Sequence, residues 1–121
     1  MILQLPSPPS TNRLWRTTRT GRMYQAPEVS KWKSNAAWTA TMAGVSVTDA
    51  PVAVSIVLQP SLTKRGKEMR RRIDLDNAIK AVLDALNGIA YVDDRQVVDI
   101  RASLGEPVQG GGLTVEVTPH G

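Results

Sequence analysis

The chain contains no cysteine and few aromatic residues, and both shortages limit what it can be. Without cysteine it has no disulfides, no thiolate metal ligands and no cysteine nucleophile, which fits a reducing compartment. Three tryptophans and two tyrosines leave the core to aliphatic side chains. No apolar run approaches the ~20 residues that span a bilayer, and the N-terminus lacks the features of a secretory signal. We therefore expect a cytoplasmic protein, and its 121 residues suit one domain, 1–121.

Positive charge is concentrated in the first part of the chain. Residues 1–72 hold twelve of the fifteen lysines and arginines with three acidic residues, whereas residues 73–121 hold the other three cations with eight acidic residues. This division suggests a surface for a polyanion joined to an acidic site. The net charge of +4 alone also describes many proteins that have no such partner.

Apolar periodicity predicts the element order β-α-β-α-β-β. Strands are predicted at 2–5, 52–58, 96–104 and 113–118. One helix is predicted at 27–43, and the buried stripe of a second consists of Ile79, Val82, Leu83 and Leu86. This order indicates an α+β fold, a single domain with a mixed four-stranded sheet covered by two helices.

Details of packing follow from the same patterns. The first helix should bury Val29, Trp32, Ala36, Ala40 and Ala43, and the strand at 52–58 should be central because both its faces are apolar. The turn-rich stretch "GEPVQGGG" predicts a loose hairpin of the last two strands. In the first of them, one apolar face is expected to contain Val98, Ile100, Ala102 and Leu104.

Two pairs of aspartates flank the second helix. Asp74 and Asp76 precede its apolar stripe, so we expect extended backbone there, with both side chains on one side. Asp93 and Asp94 follow the helix, and a chain reversal could bring them close to the first pair. Clustered carboxylates repel each other, and a hard divalent ion such as Mg²⁺ or Mn²⁺ relieves that repulsion. The alternative is structural, with one aspartate as a helix N-cap and the second pair in an ordinary turn.

Lys80 follows Asp76 by one helical turn. In a metal site it could reach a phosphate or an attacking water. The alternative is an ion pair within the helix, which contributes only about 0.2–0.5 kcal/mol. Asp84, another turn along, is expected to be solvated.

Basic residues form two further groups, an arm near the N-terminus and the segment that leads into the second helix. These candidates for DNA binding are Arg13, Arg16, Arg19, Arg22, Lys64, Arg65, Lys67, Arg70, Arg71 and Arg72. Contact with phosphates would resolve their mutual repulsion and make affinity fall steeply with salt. Solvated loops that keep the protein soluble are the alternative.

The stretches "RRRIDLDNAIKAVLDAL" and "DDRQVVDI" closely resemble the RusA family of Holliday junction resolvases, which is common in phages and prophages. "LPSPPSTNRLWR" resembles the proline-rich N-terminal segment of that family. The resemblance runs from about residue 3 to residue 118 and rests on a DLDN…K…DD core.

The resemblance implies a homodimeric, Mg²⁺-dependent endonuclease that resolves four-way DNA junctions by paired, symmetric nicks during recombination and repair. Mn²⁺ is expected to substitute, and neither a membrane nor a small-molecule cofactor is implied. The host would be a bacterial or phage-infected cell. The implied catalytic and metal-binding carboxylates are Asp74, Asp76 and Asp94, with Asp93 as a further metal ligand and Lys80 as the essential lysine.

Ile73 departs from the pattern, since a relative has a further arginine there, and the stretch before Asp93 is one residue shorter. Candidate residues for the dimer interface are Leu14, Trp15, Trp32 and Trp38. Two other functions remain open. The chain could be a non-catalytic phage DNA-binding or regulatory module, or a nuclease specific for other branched DNA.

Overall fold

A computed structural model describes residues 2–8, 15–17, 23–25, 27–62 and 72–120, with only the backbone for 15–17, 23–25 and 72–74. Its elements, in chain order, are β1 (Ile2–Leu5), β2 (Trp15–Thr17), β3 (Met23–Gln25), α1 (Pro27–Met42), β4 (Val52–Gln59), α2 (Arg72–Leu86), β5 (Val97–Leu104) and β6 (Gly112–Pro119). A 3-10 helix, Asp94–Gln96, directly precedes β5.

Four strands form one sheet in the order β1-β6-β4-β5. β6 runs antiparallel to both β1 and β4, whereas β5 runs parallel to β4. The predicted α+β fold with a mixed four-stranded sheet is therefore confirmed. In addition, β2 and β3 form a separate antiparallel pair within the predicted arm.

β4 is central, as its apolar faces predicted. Val52, Val54, Ile56 and Leu58 alternate along one face of this strand and are all buried. Both helices contribute to the same core, with Trp32 and Ala36 from α1 and Val82 and Leu86 from α2. The core is mainly aliphatic, as the scarcity of aromatic residues predicted.

The predicted hairpin of the last two strands is wrong, because β4 lies between them. Leu104 of β5 and Leu113 of β6 both pair with Leu58, at the same end of β4. The connection therefore crosses the end of β4, and the Gly105 N–H donates to the Leu58 carbonyl at 2.8 Å. Turn-forming residues between two strands do not require that those strands pair with each other.

The predicted apolar face of β5 is wrong at its first two positions, since Ile100 as well as Val98 is exposed, Ile100 by 44%. Val97 pairs with Val52, but the next residue of β4, Ala53, pairs with Asp99, so Val98 is an extra residue at a bulge. Val97 consequently packs against the core, whereas Val98 is 55% exposed. Beyond the bulge, Ala102 and Leu104 pack against the core as predicted.

α1 buries Val29, Trp32, Ala36 and Ala40, as predicted, but Ala43 is exposed because the helix ends at Met42. Gly44 follows with a φ of +85°, and the Val45 N–H donates to the Ala40 carbonyl. The Trp32 indole N–H donates to the Pro6 carbonyl at 2.9 Å and ties α1 to the end of β1.

α2 begins earlier than expected, so the predicted extended backbone around Asp74 and Asp76 is wrong. The cause is Leu75, which packs against the core one turn before Ile79 and extends the apolar stripe. Small residues complete this face, since Ala78, Ala81 and Ala85 are buried. Neither helix in the described ranges is long and apolar enough to span a membrane.

Asp84 is exposed, as expected, and it also forms an ion pair. Its carboxylate is 3.6 Å from the Lys33 ammonium group on α1, and the two side chains are 40% and 25% exposed. The pair links the exposed rims of the two helices. Partly exposed pairs of this kind typically contribute about 0–1 kcal/mol.

Candidate active site

The outer surface of α2 carries the first part of the candidate site. Asp76 and Lys80 are exposed and one helical turn apart. At about 100° per residue, positions 76, 80 and 83 lie within about 60° of one another around the axis. Asp74 is two positions from Asp76, or about 200° around the axis, so the alternation that was expected to align their side chains does not apply. Only the backbone of Asp74 is described.

The chain reverses directly after α2. Gly88 has a φ of +82°, and its N–H donates to the Tyr91 carbonyl at 2.7 Å. The Ala90 N–H donates to the carbonyl of Leu86, the last residue of the helix, at 2.9 Å. The helix therefore ends at Leu86, with Gly88 in the left-handed conformation two residues later. We call the segment 87–96, which carries Asp93 and Asp94, the acid turn.

Tyr91 anchors the acid turn to α2. The side chain is fully buried, and its hydroxyl donates to the Leu83 carbonyl at 2.7 Å. Burial raises the pKa of the phenol above its ordinary value, and the negative charges of Asp94 and Asp84 raise that pKa further.

Asp93 caps the 3-10 helix. Its Oδ1 accepts from the Arg95 backbone N–H at 2.9 Å, and its Oδ2 accepts from the Arg95 guanidinium at 3.3 Å. These contacts, the backbone hydrogen bond first, lower the pKa of the Asp93 carboxyl. Asp93 therefore has a structural role, as the N-cap of a short helix. Its further role as a metal ligand stays a prediction.

Asp94, the first residue of the 3-10 helix, is exposed. Tyr91 ties the acid turn that carries Asp94 to Leu83, about one helical turn after Lys80 and two turns after Asp76. Among the described residues, no three acidic or histidine side chains are grouped closely enough to hold a metal ion.

The predicted DNA-binding residues lie almost entirely outside the described residues. Arg16 is in β2 with its backbone opposite Tyr24, and Arg72 is the first residue of α2. The other eight candidates lie outside the described residues: Arg13, Arg19, Arg22, Lys64, Arg65, Lys67, Arg70 and Arg71. Their role in DNA binding stays a prediction.

Sequence reasoning missed Gln96 and Tyr91. Gln96 follows Asp93 by three residues, and an Asp with Gln at this spacing is the signature of a capping box. That signal was available in "DDRQ". No local pattern marked Tyr91, because its partner, the Leu83 carbonyl, belongs to the preceding helix.

Comparison with known proteins identifies the family of this chain. The endodeoxyribonuclease RusA family matches residues 6–118, so the chain belongs to the RusA family of endodeoxyribonucleases, as its motifs predicted. The crossover junction endodeoxyribonuclease RusA of Escherichia coli (strain K12) is 36% identical over 121 residues, which cover 98% of this chain and 94% of that relative. Proteins of the same name from Enterobacteria phage 82 and Shigella sonnei (strain Ss046) are 34% and 35% identical, with the same coverage.

Proposed function

We propose that this protein is a Mg²⁺-dependent endonuclease that resolves four-way DNA junctions by paired, symmetric hydrolysis of phosphodiesters. The observation that carries the proposal is the similarity to crossover junction endodeoxyribonucleases across 98% of the chain. Similarity of this extent includes α2 and the acid turn, and so every residue to which we give a catalytic role.

In this proposal, Asp74, Asp76 and Asp94 hold the metal ion. The donor chemistry supports Mg²⁺, with Mn²⁺ as a substitute, because Asp76 and Asp94 present exposed carboxylate oxygens and the chain contains no cysteine. When bound, the ion would lower the pKa of a water molecule and polarise the phosphoryl oxygen. Asp93 is a further ligand candidate, although its two oxygens already contact Arg95.

Lys80 would hold the scissile phosphate. Its ammonium group follows Asp76 by one turn on an exposed surface of α2, and a lysine at that distance can contact a phosphate held next to the carboxylates. The ten basic residues of the arm and of segment 64–72 would bind the DNA backbone on either side. Their contribution should weaken as salt concentration rises.

A homodimer would match the approximate two-fold symmetry of a four-way junction, with one site for each of two opposed strands. Trp32 is unsuitable for the interface because it is buried in the core of its own chain. Trp38, 66% exposed on α1, remains suitable, and Met42, 67% exposed one turn later, adds to the same apolar surface. Leu14 and Trp15 belong to the arm and remain candidates.

The test compares labelled four-way, three-way and linear duplex DNA, each incubated with the protein and either Mg²⁺ or a chelator. We expect paired nicks in the four-way junction only, and only with Mg²⁺. Salt-sensitive binding without nicking would support a non-catalytic DNA-binding module instead. Preferential cleavage of the three-way substrate would indicate a nuclease for other branched DNA.

A further inference from the structure

Gln96 connects the acid turn to a different part of the protein. Its Oε1 accepts from the Asp93 backbone N–H at 2.9 Å, which completes the capping box of the 3-10 helix. Its Nε2 donates to the carbonyls of Thr48 and Ala50, at 2.8 and 2.9 Å. Both ends of this half-buried amide are therefore engaged, one within the acid turn and the other in the loop that leads into β4.

The backbone reinforces the same connection. The Thr48 N–H donates to the Ala90 carbonyl at 3.2 Å, and the Val92 N–H donates to the Thr48 carbonyl at 3.3 Å. The loop at 45–51 thus pairs with the acid turn just before Asp93. Tyr91 holds the turn to α2 from the other side.

We propose that Gln96 is a positioning residue that sets Asp94 in the geometry required for metal binding. This inference rests on the proposed function, in which Asp94 is a metal ligand. Asp94 lies within the capping box that Gln96 closes, between its N-cap Asp93 and Gln96 itself. An exposed carboxylate on a short turn binds a metal ion more tightly if its backbone is held in place, and Gln96 makes three of the side-chain hydrogen bonds that hold this turn. Loss of an outer-shell contact of this kind typically lowers metal affinity about 10- to 100-fold.

Binding of Mn²⁺ to the whole protein, followed by electron paramagnetic resonance of the free ion, tests the proposal without reference to cleavage. The first variant is Gln96→Met, which keeps the length of the side chain and removes every hydrogen bond. We expect its half-saturating Mn²⁺ concentration to be at least about tenfold higher than that of the wild type. Junction binding in chelator should be unchanged. Gln109→Met, an exposed glutamine in the connection between β5 and β6, is the matched control and should bind Mn²⁺ like the wild type.

The half-saturating Mn²⁺ concentration, or midpoint, distinguishes a positioning role of Gln96 from a merely structural one. If Gln96 served only stability, the midpoint would rise only by the factor by which unfolding lowers the folded fraction, which circular dichroism measures on the same sample. A rise no larger than that factor overturns the proposal.

Gln96→Glu keeps the test decisive if the methionine variant does not fold. It retains an acceptor for the Asp93 N–H but turns a carboxylate toward the two carbonyls. The added negative charge by itself would favour Mn²⁺, so a raised midpoint supports positioning, and an unchanged or lowered one overturns it.

Asp94→Asn tests the metal site separately. If the wild-type protein bound no Mn²⁺, or bound it no more tightly than Asp94→Asn does, both the metal site and this inference would be refuted. If the wild type bound Mn²⁺ tightly and the Gln96 variants bound it equally well, only this inference would be refuted.

Discussion

The hydroxyl of Tyr91 donates a 2.7 Å hydrogen bond to the carbonyl of Leu83, eight residues earlier in the chain. This bond joins the acid turn to the last part of α2, so the two elements that carry the candidate catalytic residues are held together from within the core. Hydrophobic burial contributes to the same anchor, since Tyr91 is fully buried.

Replacing Tyr91 with Phe should destabilise the protein by about 1–2 kcal/mol. The ring still fills its site, but a buried hydrogen bond is lost and the Leu83 carbonyl loses its donor. Urea denaturation measures the change. The matched control is Thr41→Val, which removes an exposed hydroxyl that donates to the Ala37 carbonyl and should change stability much less. Equal effects in the two variants would contradict the role given to Tyr91.

Stability at high pH should also depend on Tyr91. Burial and the charges of Asp94 and Asp84 raise the pKa of its phenol above the ordinary 10.0, so the folded state holds this proton more tightly than the unfolded state. The resulting stabilisation is complete below pH 10 and is lost as pH rises further. Thermal melts between pH 9 and 12 should therefore bring the wild type and Tyr91→Phe closer together. A constant difference in melting temperature would show that the phenol does not titrate with unfolding.

Asp93 and Asp94 should differ in their effect on stability. Asp93→Ala removes the cap of the 3-10 helix and should lower the melting temperature more than Asp94→Ala does. The pKa of Asp93 lies below its ordinary 3.8 in the folded state, so its contribution is present above that pH and disappears as pH falls through the folded value. Melts from pH 7 down to pH 2 should show the Asp93→Ala deficit shrinking with acid. A deficit that grew with acid would contradict the capping role.

Asp76→Asn should abolish cleavage of four-way junctions and leave junction binding intact, because it removes the negative charge of a carboxylate that we propose binds the metal ion and keeps the size of the side chain. The matched control is Asp99→Asn. Asp99 pairs with Ala53, next to the buried positions of β4, and its carboxylate is 3.9 Å from Arg101 on the face of the sheet away from the core. Cleavage assays with Mg²⁺ measure both variants. Activity retained in Asp76→Asn would remove Asp76 from the site.

The course of the chain through its helices and strands was largely predictable. Val29, Trp32, Ala36 and Ala40 recur at helical spacing, and β4 alternates, so each pattern identified its own element. The start of α2 was not predictable in this way, because Leu75 between two aspartates fits a strand as well as a helix. Its packing against the core decided the question.

The candidate site was likewise only partly predictable from the sequence. Asp76, Lys80 and the Asp93-Asp94 pair could be recognised from their types and spacing, and so could the family. The link from Gln96 to Thr48 joins residues 48 apart, and no local pattern indicates a partner at that distance.

The sequence by itself determined most of the elements of this protein and the family to which it belongs, because apolar periodicity and residue type are properties of neighbouring positions. Only the tertiary structure decided that β4 separates β5 from β6, that Val98 forms a bulge, and that Tyr91 and Gln96 hold the acid turn. Each of these depends on contacts between segments distant in the chain, and their relative free energies are settled only when the whole core packs.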